Sequence, residues 1–473
     1  MTRLRFHPGV LAWLALAAFC TAQTPAHGTP EASPLGHVLE LARAHRYAEA
    51  EVAMRGVRPP EDTRQRITFF RLRASIESGL GNSKAAAADM ELAAKLAPED
   101  AQLQAAAALS RLEVQLETHA DPAVTLKALR GVQLPVEKLL EVRLRTGEVL
   151  SRAHRYGEAA EDLADASRMA PNRADIHFNL ALARYYNGQW DAALESAERA
   201  KTLEDSGATE SLLGDIQEKR GDALAAVHSY QAAVSLEPNV EQHRLSLATE
   251  LLKHQTFDAA LVVLEQAAGL FPQSAHIKIL LGLSYYLVDR SPDAIRTLLE
   301  ANRVAGKDGL AARYLGEITL QDSATPDPGA VKQLCAFADA HPANKTADAL
   351  CGGVLLRVAQ ESGNASGKPE ILRRLRAAVR VAPEEPLARC QLGKALEWSQ
   401  LWQEARVQLE KCVRLNPDSP EGHYRLARVY RRIGLTALAN EQNSLQQQVA
   451  KKESDESLRR ANSVSRFLVL LDH

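Results

Sequence analysis

Aromatic residues are scarce in this chain of 473 residues, which has 9 Phe, 10 Tyr and 4 Trp. So few rings, set among abundant Ala, point away from a core built on large side chains and toward closely packed helices. Charge of one sign is also lacking, with 57 Lys+Arg against 59 Asp+Glu and a formal net charge of −2. That balance gives no global electrostatic drive toward nucleic acid or an anionic membrane. It excludes a disordered acidic or basic tail protein, and 25% charged residues exclude a polytopic membrane protein. Catalytic signatures are missing: there is no His-Glu-x-x-His, Cys-x-x-Cys or Gly-x-Ser-x-Gly. Gly363 to Lys368 imitates a phosphate loop, but it is one residue short between its glycines and Pro369 stands where Ser or Thr would hold magnesium. We expect no metal, no cofactor and no enzymatic activity.

The long apolar run is confined to the start. Arg3 and Arg5 precede an uncharged stretch from Val10 to Phe19, and Cys20-Thr21-Ala22 ends on a small residue. The run is about half of the ~20 residues that span a bilayer, so residues 1–22 read as a cleaved secretory signal. A lipidated Cys20 is the alternative, against which Phe19 is bulky where bacterial lipoproteins carry a small residue. Loss of Arg3 and Arg5 moves the charge from −2 to −4. Residues 23–34 (QTPAHGTPEASP) have no periodicity and read as a flexible leader. The expected location is periplasmic or secreted, with no transmembrane segment in the mature chain.

What the sequence does hold is a repeat. Pro60, Pro98, Pro135, Pro171, Asp205, Pro238, Pro272, Gly306, Pro342, Pro383 and Pro417 each follow a short apolar helix end, at intervals of 33 to 41 residues, four of them 34. Pairs of Leu and a small residue recur at Leu180-Ala181, Leu213-Gly214, Leu247-Ala248, Leu281-Gly282, Leu392-Gly393 and Leu426-Ala427. Later in each unit come Ala193, Ala226, Ala260, Ala294 and Ala405, then Ala200, Ala233, Ala267 and Ala301, with Cys412 at the equivalent place in the 387–417 unit. Steps of three, four and seven put Ile176, Leu180 and Ala183 on one helical face and Ala193, Ala197 and Ala200 on one face of the next. Gly188, Gly221, Gln255 and Gln400 separate the two helices, and Pro ends the second. A hairpin this small cannot bury both faces, so neighbours must stack.

This pattern resembles the tetratricopeptide repeat family, over roughly residues 35–450. The resemblance implies an all-α helix-turn-helix solenoid, a right-handed superhelix of about ten repeats over 35–440. Residues 101–134, 322–329 and 342–370 depart from the pattern and are expected to be irregular, and 441–473 reads as a capping helix and tail. His45 and His154 both precede Tyr in RAHRY, a duplicated turn that reads as structural punctuation. Glu384-Glu385, at a repeat boundary, favours a helix start.

Four cysteines remain in the mature chain. Cys335 and Cys351 are equidistant from the turn near Pro342, and Cys390 and Cys412 from the turn near residue 401. Residues equidistant from the turn of a helical hairpin sit at one height, so each pair is placed to meet. Four buried free thiols are the alternative.

In similar arrays the first helix of each repeat lines a concave wall. Carried over by register, that wall comprises Asp175, Phe178, Asn179, Leu182, Tyr185 and Tyr186, then Leu245, Thr249 and Leu252, then Ile279, Leu283 and Tyr286. Such a groove suits a protein or peptide segment, with Asn179 able to bond its backbone; packing between repeats is the alternative for each residue. From Glu370 to Arg432 there are 13 basic and 8 acidic residues. Within it Tyr424, Arg425, Arg428 and Arg432 step along one helix as a candidate anion site, or as a solvated basic face. Members of the family that clamp a terminal carboxylate use Lys and Asn on successive helices, a set not found here, since Asn179 is followed one unit later by Leu212. The expected function is an exported, non-enzymatic scaffold binding protein segments of unknown identity, with no role for nucleic acid. An assembly factor for the envelope, pili or outer-membrane proteins, and the regulatory arm of an enzyme, are the alternatives.

Overall fold

The computed structural model describes residues 34–305, 309–321 and 324–453. The expected signal segment with Cys20, the leader up to Ser33 and the tail after 453 lie outside the described residues. Among the described residues there are 24 helices and no strand, and they fall into two compact units.

In the unit that ends at Ser229 the helices pair as α1 (Pro34–Arg43) with α2 (Tyr47–Met54), α3 (Thr63–Gly79) with α4 (Ser83–Leu96), and α5 (Ala101–Glu117) with α6 (Ala123–Gly131). Next come α7 (Val136–Arg152) with α8 (Tyr156–Met169), α9 (Ala174–Tyr186) with α10 (Trp190–Leu203), and then α11 (Gly207–Arg220). The division between units falls inside α12 (Ala223–Leu236). The second unit pairs α13 (Glu241–Lys253) with α14 (Phe257–Leu270), α15 (Ala275–Leu287) with α16 (Ser291–Ala305), and α17 (Leu310–Gln321) with α18 (Pro328–Ala340). It continues with α19 (Ala347–Glu361) and α20 (Lys368–Val381), α21 (Pro386–Trp398) and α22 (Trp402–Leu415), and α23 (Pro420–Arg432) and α24 (Thr436–Glu453).

The first helix of a pair is helix A, and five of these helices start on a side-chain cap. Asp62, Asp100, Ser206, Ser274 and Ser419 each accept the backbone N–H three residues on, at 2.9 to 3.2 Å. Helix A ends in a left-handed residue. Gly188 has φ +75° and is followed by a bond from Gln189 N–H to the Arg184 carbonyl at 2.9 Å, the six-to-one closure of a helix C-terminus. His45, His154, Gln255, Asp289 and Gln400 hold the same conformation without being glycine. His45 and His154 each place Nδ1 within 2.8 and 2.7 Å of the hydroxyl of Tyr47 and Tyr156, so the RAHRY duplication is a turn device. Among the described residues Gln255, at φ +58°, has no side-chain partner that would compensate the left-handed cost of about 1 kcal/mol or more. Gln255→Gly is therefore expected to stabilise the second unit by about 0.5–1 kcal/mol in urea unfolding, after the greater chain entropy of glycine is subtracted; an unchanged midpoint would show that the turn carries no such cost.

Helix B packs through small residues. Ala193, Ala226, Ala260, Ala294 and Ala405 are fully buried, as are Ala200, Ala233, Ala267, Ala301 and Cys412. Ala50, Ala93, Ala159 and Ala166 extend the same ladder into hairpins whose signature is fainter in the sequence. The facing position on helix A has no room for a side chain: a Cβ on Gly393 would lie 2.7 Å from Leu409 Cγ. Each hairpin thus closes on small residues and then packs on the next, as α4 does on α5 and α8 on α9 in the first unit, and α14 on α15 and α22 on α23 in the second.

The irregular stretches have local causes. Over 101–134, α6 has 9 residues where the neighbouring B helices α4 and α8 have 14, and α5 packs on both α6 and α7. In the expected 322–329 loop, Asp327 caps α18 through Ala330 N–H at 2.9 Å, so helix resumes at Pro328. Between 342 and 370 the turn after α19 runs from Ser362 to Gly367. The capping helix, expected from 441, begins at Thr436 and is the second helix of a final hairpin with α23. Two disulfides fasten the second unit: Cys335–Cys351 joins α18 to α19, and Cys390–Cys412 joins α21 to α22.

Candidate functional site

In the last two hairpins, α21 carries Lys394, Glu397 and Trp398, α22 opens on Trp402, and α23 carries Glu421, Tyr424, Arg425, Arg428 and Arg432. Charged groups here are held against rings and against one another. Lys368 Nζ lies 4.5 Å from the centre of the Trp398 ring, the Arg428 guanidinium 5.7 Å from that of Tyr424, and the Arg432 guanidinium 5.5 Å from that of Trp402. Arg425 donates to Glu397 and Glu421, both at 2.8 Å, Lys394 reaches Glu421 at 3.0 Å, and Arg428 reaches Glu397 at 3.2 Å. Burial weighs against charge on Arg425, but Glu421 and Glu397 outweigh it and raise its pKa above the ordinary value. Desolvation likewise opposes charge on Glu421, and Lys394 and Arg425 overcome it, lowering its pKa. A few residues away, burial and then the bond donated to Glu410 at 2.9 Å push the Tyr430 hydroxyl up to about 12. Tyr285 repeats this arrangement with Glu265, also at 2.9 Å.

The four-residue anion candidate is thereby corrected in one member. Arg425 is engaged by two carboxylates and is not open to a ligand, because Glu397 is buried beneath it. Tyr424, Arg428 and Arg432 remain exposed. Sequence reasoning missed Lys368, Lys394, Glu397, Trp398, Trp402 and Glu421. The legible signal was the spacing of Lys394, Glu397 and Trp398, which step by three and four along one helix and so share a face with the acids and bases of the next helix A.

The proposed groove is corrected further. In the first unit Phe178, Asn179 and Leu182 are buried, and Phe178 and Leu182 pack with Leu212, Leu213 and Ile216. In the second unit Leu252, Ile279 and Leu283 are buried as well. The physical reason is that helix A packs on the next helix A, as α9 does on α11, α13 on α15 and α15 on α17, which covers the face opposite the Leu-small pair. Asp175, Tyr185, Leu245, Thr249 and Tyr286 are half-buried, and Tyr186 is exposed. Asp175 is paired with Arg173. Tyr186 stacks on Tyr156 at 4.9 Å and meets Tyr185 edge-on at 5.2 Å. Burial first, then the nearby acids Asp215 and Glu218, raise the pKa of Tyr185, which stays a neutral hydroxyl. Among the described residues no group of three or more His, Cys, Asp or Glu is placed to hold a metal ion, and no helix is long and apolar enough to cross a membrane.

Stacked helical hairpins that close on Ala and Gly, turn through a left-handed residue and display helix A residues define an α-helical repeat protein. The tetratricopeptide repeat model matches residues 144–208 and 245–309. The matched stretches carry the hairpins of α7 to α10 and of α13 to α16, and the buried Ala of helix B recurs outside them, as at Ala93 and Ala405. No curated protein sequence matches the chain. Among solved structures, yeast Tom70 is similar at 15% identity, covering 90% of this chain and 97% of its own, with a TM-score of 0.36. The C-terminal part of a TPR repeat-containing protein from Cytophaga hutchinsonii is similar at 16% identity over 60% of this chain and 99% of its own, with a TM-score of 0.40. YrrB, described as a TPR protein with an unusual peptide-binding site, is similar at 18% identity over 36% of this chain and 89% of its own, with a TM-score of 0.32.

Proposed function

We propose that the chain is an exported, non-enzymatic scaffold that holds segments of partner proteins against exposed parts of its A helices, in the periplasm or outside the cell. The observation that carries this reading is the exposure of aromatic side chains on A helices whose packing residues are buried: Tyr186 is 42% exposed on α9 and Tyr424 49% on α23. Large rings left in water on rigid helices are the type of residue that anchors protein interfaces. Export is supported by the basic and apolar start of the sequence and by two disulfides, which persist in oxidising compartments.

The test is cross-linking in intact cells followed by purification, comparing the wild-type chain with Tyr186→Ala combined with Tyr424→Ala. The reading expects captured partner proteins that are lost or reduced several-fold in the double variant while its helical circular dichroism is unchanged. An identical set of partners in both would overturn it. Intact mass of the purified chain reads the N-terminus directly, with loss of residues 1–22 expected.

A further inference from the structure

We infer that the face formed by α21, the start of α22 and α23 takes an extended acidic segment of a partner protein, with carboxylates at alternate positions. This deepens the scaffold reading and rests on it. The face is contiguous: Lys368 lies on Trp398, the neighbouring Glu397 reaches Arg425 and Arg428, Arg428 lies on Tyr424, and Arg432, one turn further, lies on Trp402. Five cations (Lys368, Lys394, Arg425, Arg428 and Arg432) meet two carboxylates (Glu397 and Glu421), a surplus of three positive charges. Among the described residues neither Lys368 nor Arg432 pairs with a carboxylate. Both instead lie over rings, which restrict them without neutralising them. Cations held in place in this way lose less freedom on binding an anion.

Spacing selects the ligand. Arg428 and Arg432 are four residues apart on one helix, about 6 Å along its axis. Side chains on one face of an extended peptide repeat every second residue, about 6.7 Å apart. The cations therefore form a row and do not converge on one point, as a single phosphate would require. The exposed edge of Tyr424 adds apolar surface beside the row.

The experiment is fluorescence anisotropy on the full chain with a labelled peptide, capped at both ends, carrying Glu at alternate positions, and with its Gln counterpart. The Glu peptide is expected to bind at least ten-fold more tightly, to weaken as salt rises, and to lose at least ten-fold on Arg428→Ala with Arg432→Ala. Arg432→Ala alone, an exposed site without a carboxylate partner, should lose part of that and keeps the test valid if the double variant unfolds. Equal binding of the two peptides, or an unaltered affinity in both variants, would overturn the inference. So would tight binding of inorganic triphosphate with none of the Glu peptide, which would mark a phosphate site. Partner cross-links retained in cells alongside any of these failures would leave the scaffold reading standing and sink the acidic segment alone.

Discussion

Asp162→Ala is expected to destabilise the first unit by about 3–5 kcal/mol, because it removes one partner of a buried charge cluster. Asp162 is fully buried on α8 and receives Arg143 Nη1 from α7 at 3.0 Å and Arg130 Nη2 from α6 at 2.9 Å. Arg143 also donates to the Arg130 carbonyl at 2.8 Å, so one carboxylate fixes both guanidiniums and the end of the short helix α6. Without it, Arg143 keeps only the more distant Asp165 at 3.4 Å in a buried place, while Arg130 keeps Glu161 at 2.6 Å. Arg130 is one-third exposed and recovers some hydration, which sets the expected value toward the lower end of the range. Urea unfolding of the full chain measures it, with Glu49→Ala at the exposed Arg46–Glu49 pair as a control that should move nothing. A shift under 1 kcal/mol for Asp162→Ala would show that the three helices are not held through this carboxylate.

The second large effect is expected from Cys390→Ala with Cys412→Ala. The bond closes a sequence separation of 22 residues, and the loss of such a cross-link costs about 3 kcal/mol through the freedom regained by the unfolded chain. Packing contributes little to this number. Cys412 stands where other hairpins carry a fully buried Ala, such as Ala267 and Ala301, so alanine there restores the pattern of the ladder. The wild-type chain in reductant loses Cys335–Cys351 as well and should unfold no later than the double variant, and the two should coincide when both are reduced. Equal unfolding midpoints for oxidised wild type and variant would mean that the bond does not form in solution.

The hairpin fold was legible because its causes are local. A left-handed residue after helix A, a proline after helix B and Ala at fixed steps are each a one-residue requirement repeated about every 34 positions, so Ala260 or Gly188 could be placed without knowing what they touch. The short α6 was not legible, since its partner Asp162 lies 32 residues from Arg130 and no periodicity links them. The wall residues failed for a related reason. Phe178, Leu182 and Ile279 differ from exposed residues only in whether the next helix A leans over them, a property of the stacking and not of one helix. Arg425 read as a free cation because Glu397, on the preceding helix A, is 28 residues away. The cysteine pairs were approachable, because symmetry about a tight turn is a short-range relation.

Site-specific photo-cross-linking in intact cells tests the central claim most directly. A photoreactive residue is placed at Tyr186 or Tyr424 on A helices, or at Leu224 or Val262 on B helices, where the side chains are 70% and 54% exposed. The scaffold account predicts cross-linked protein partners from the A positions and none from the more accessible B positions. Cross-links from the B positions alone, or from no position in cells that express the folded chain, would contradict it.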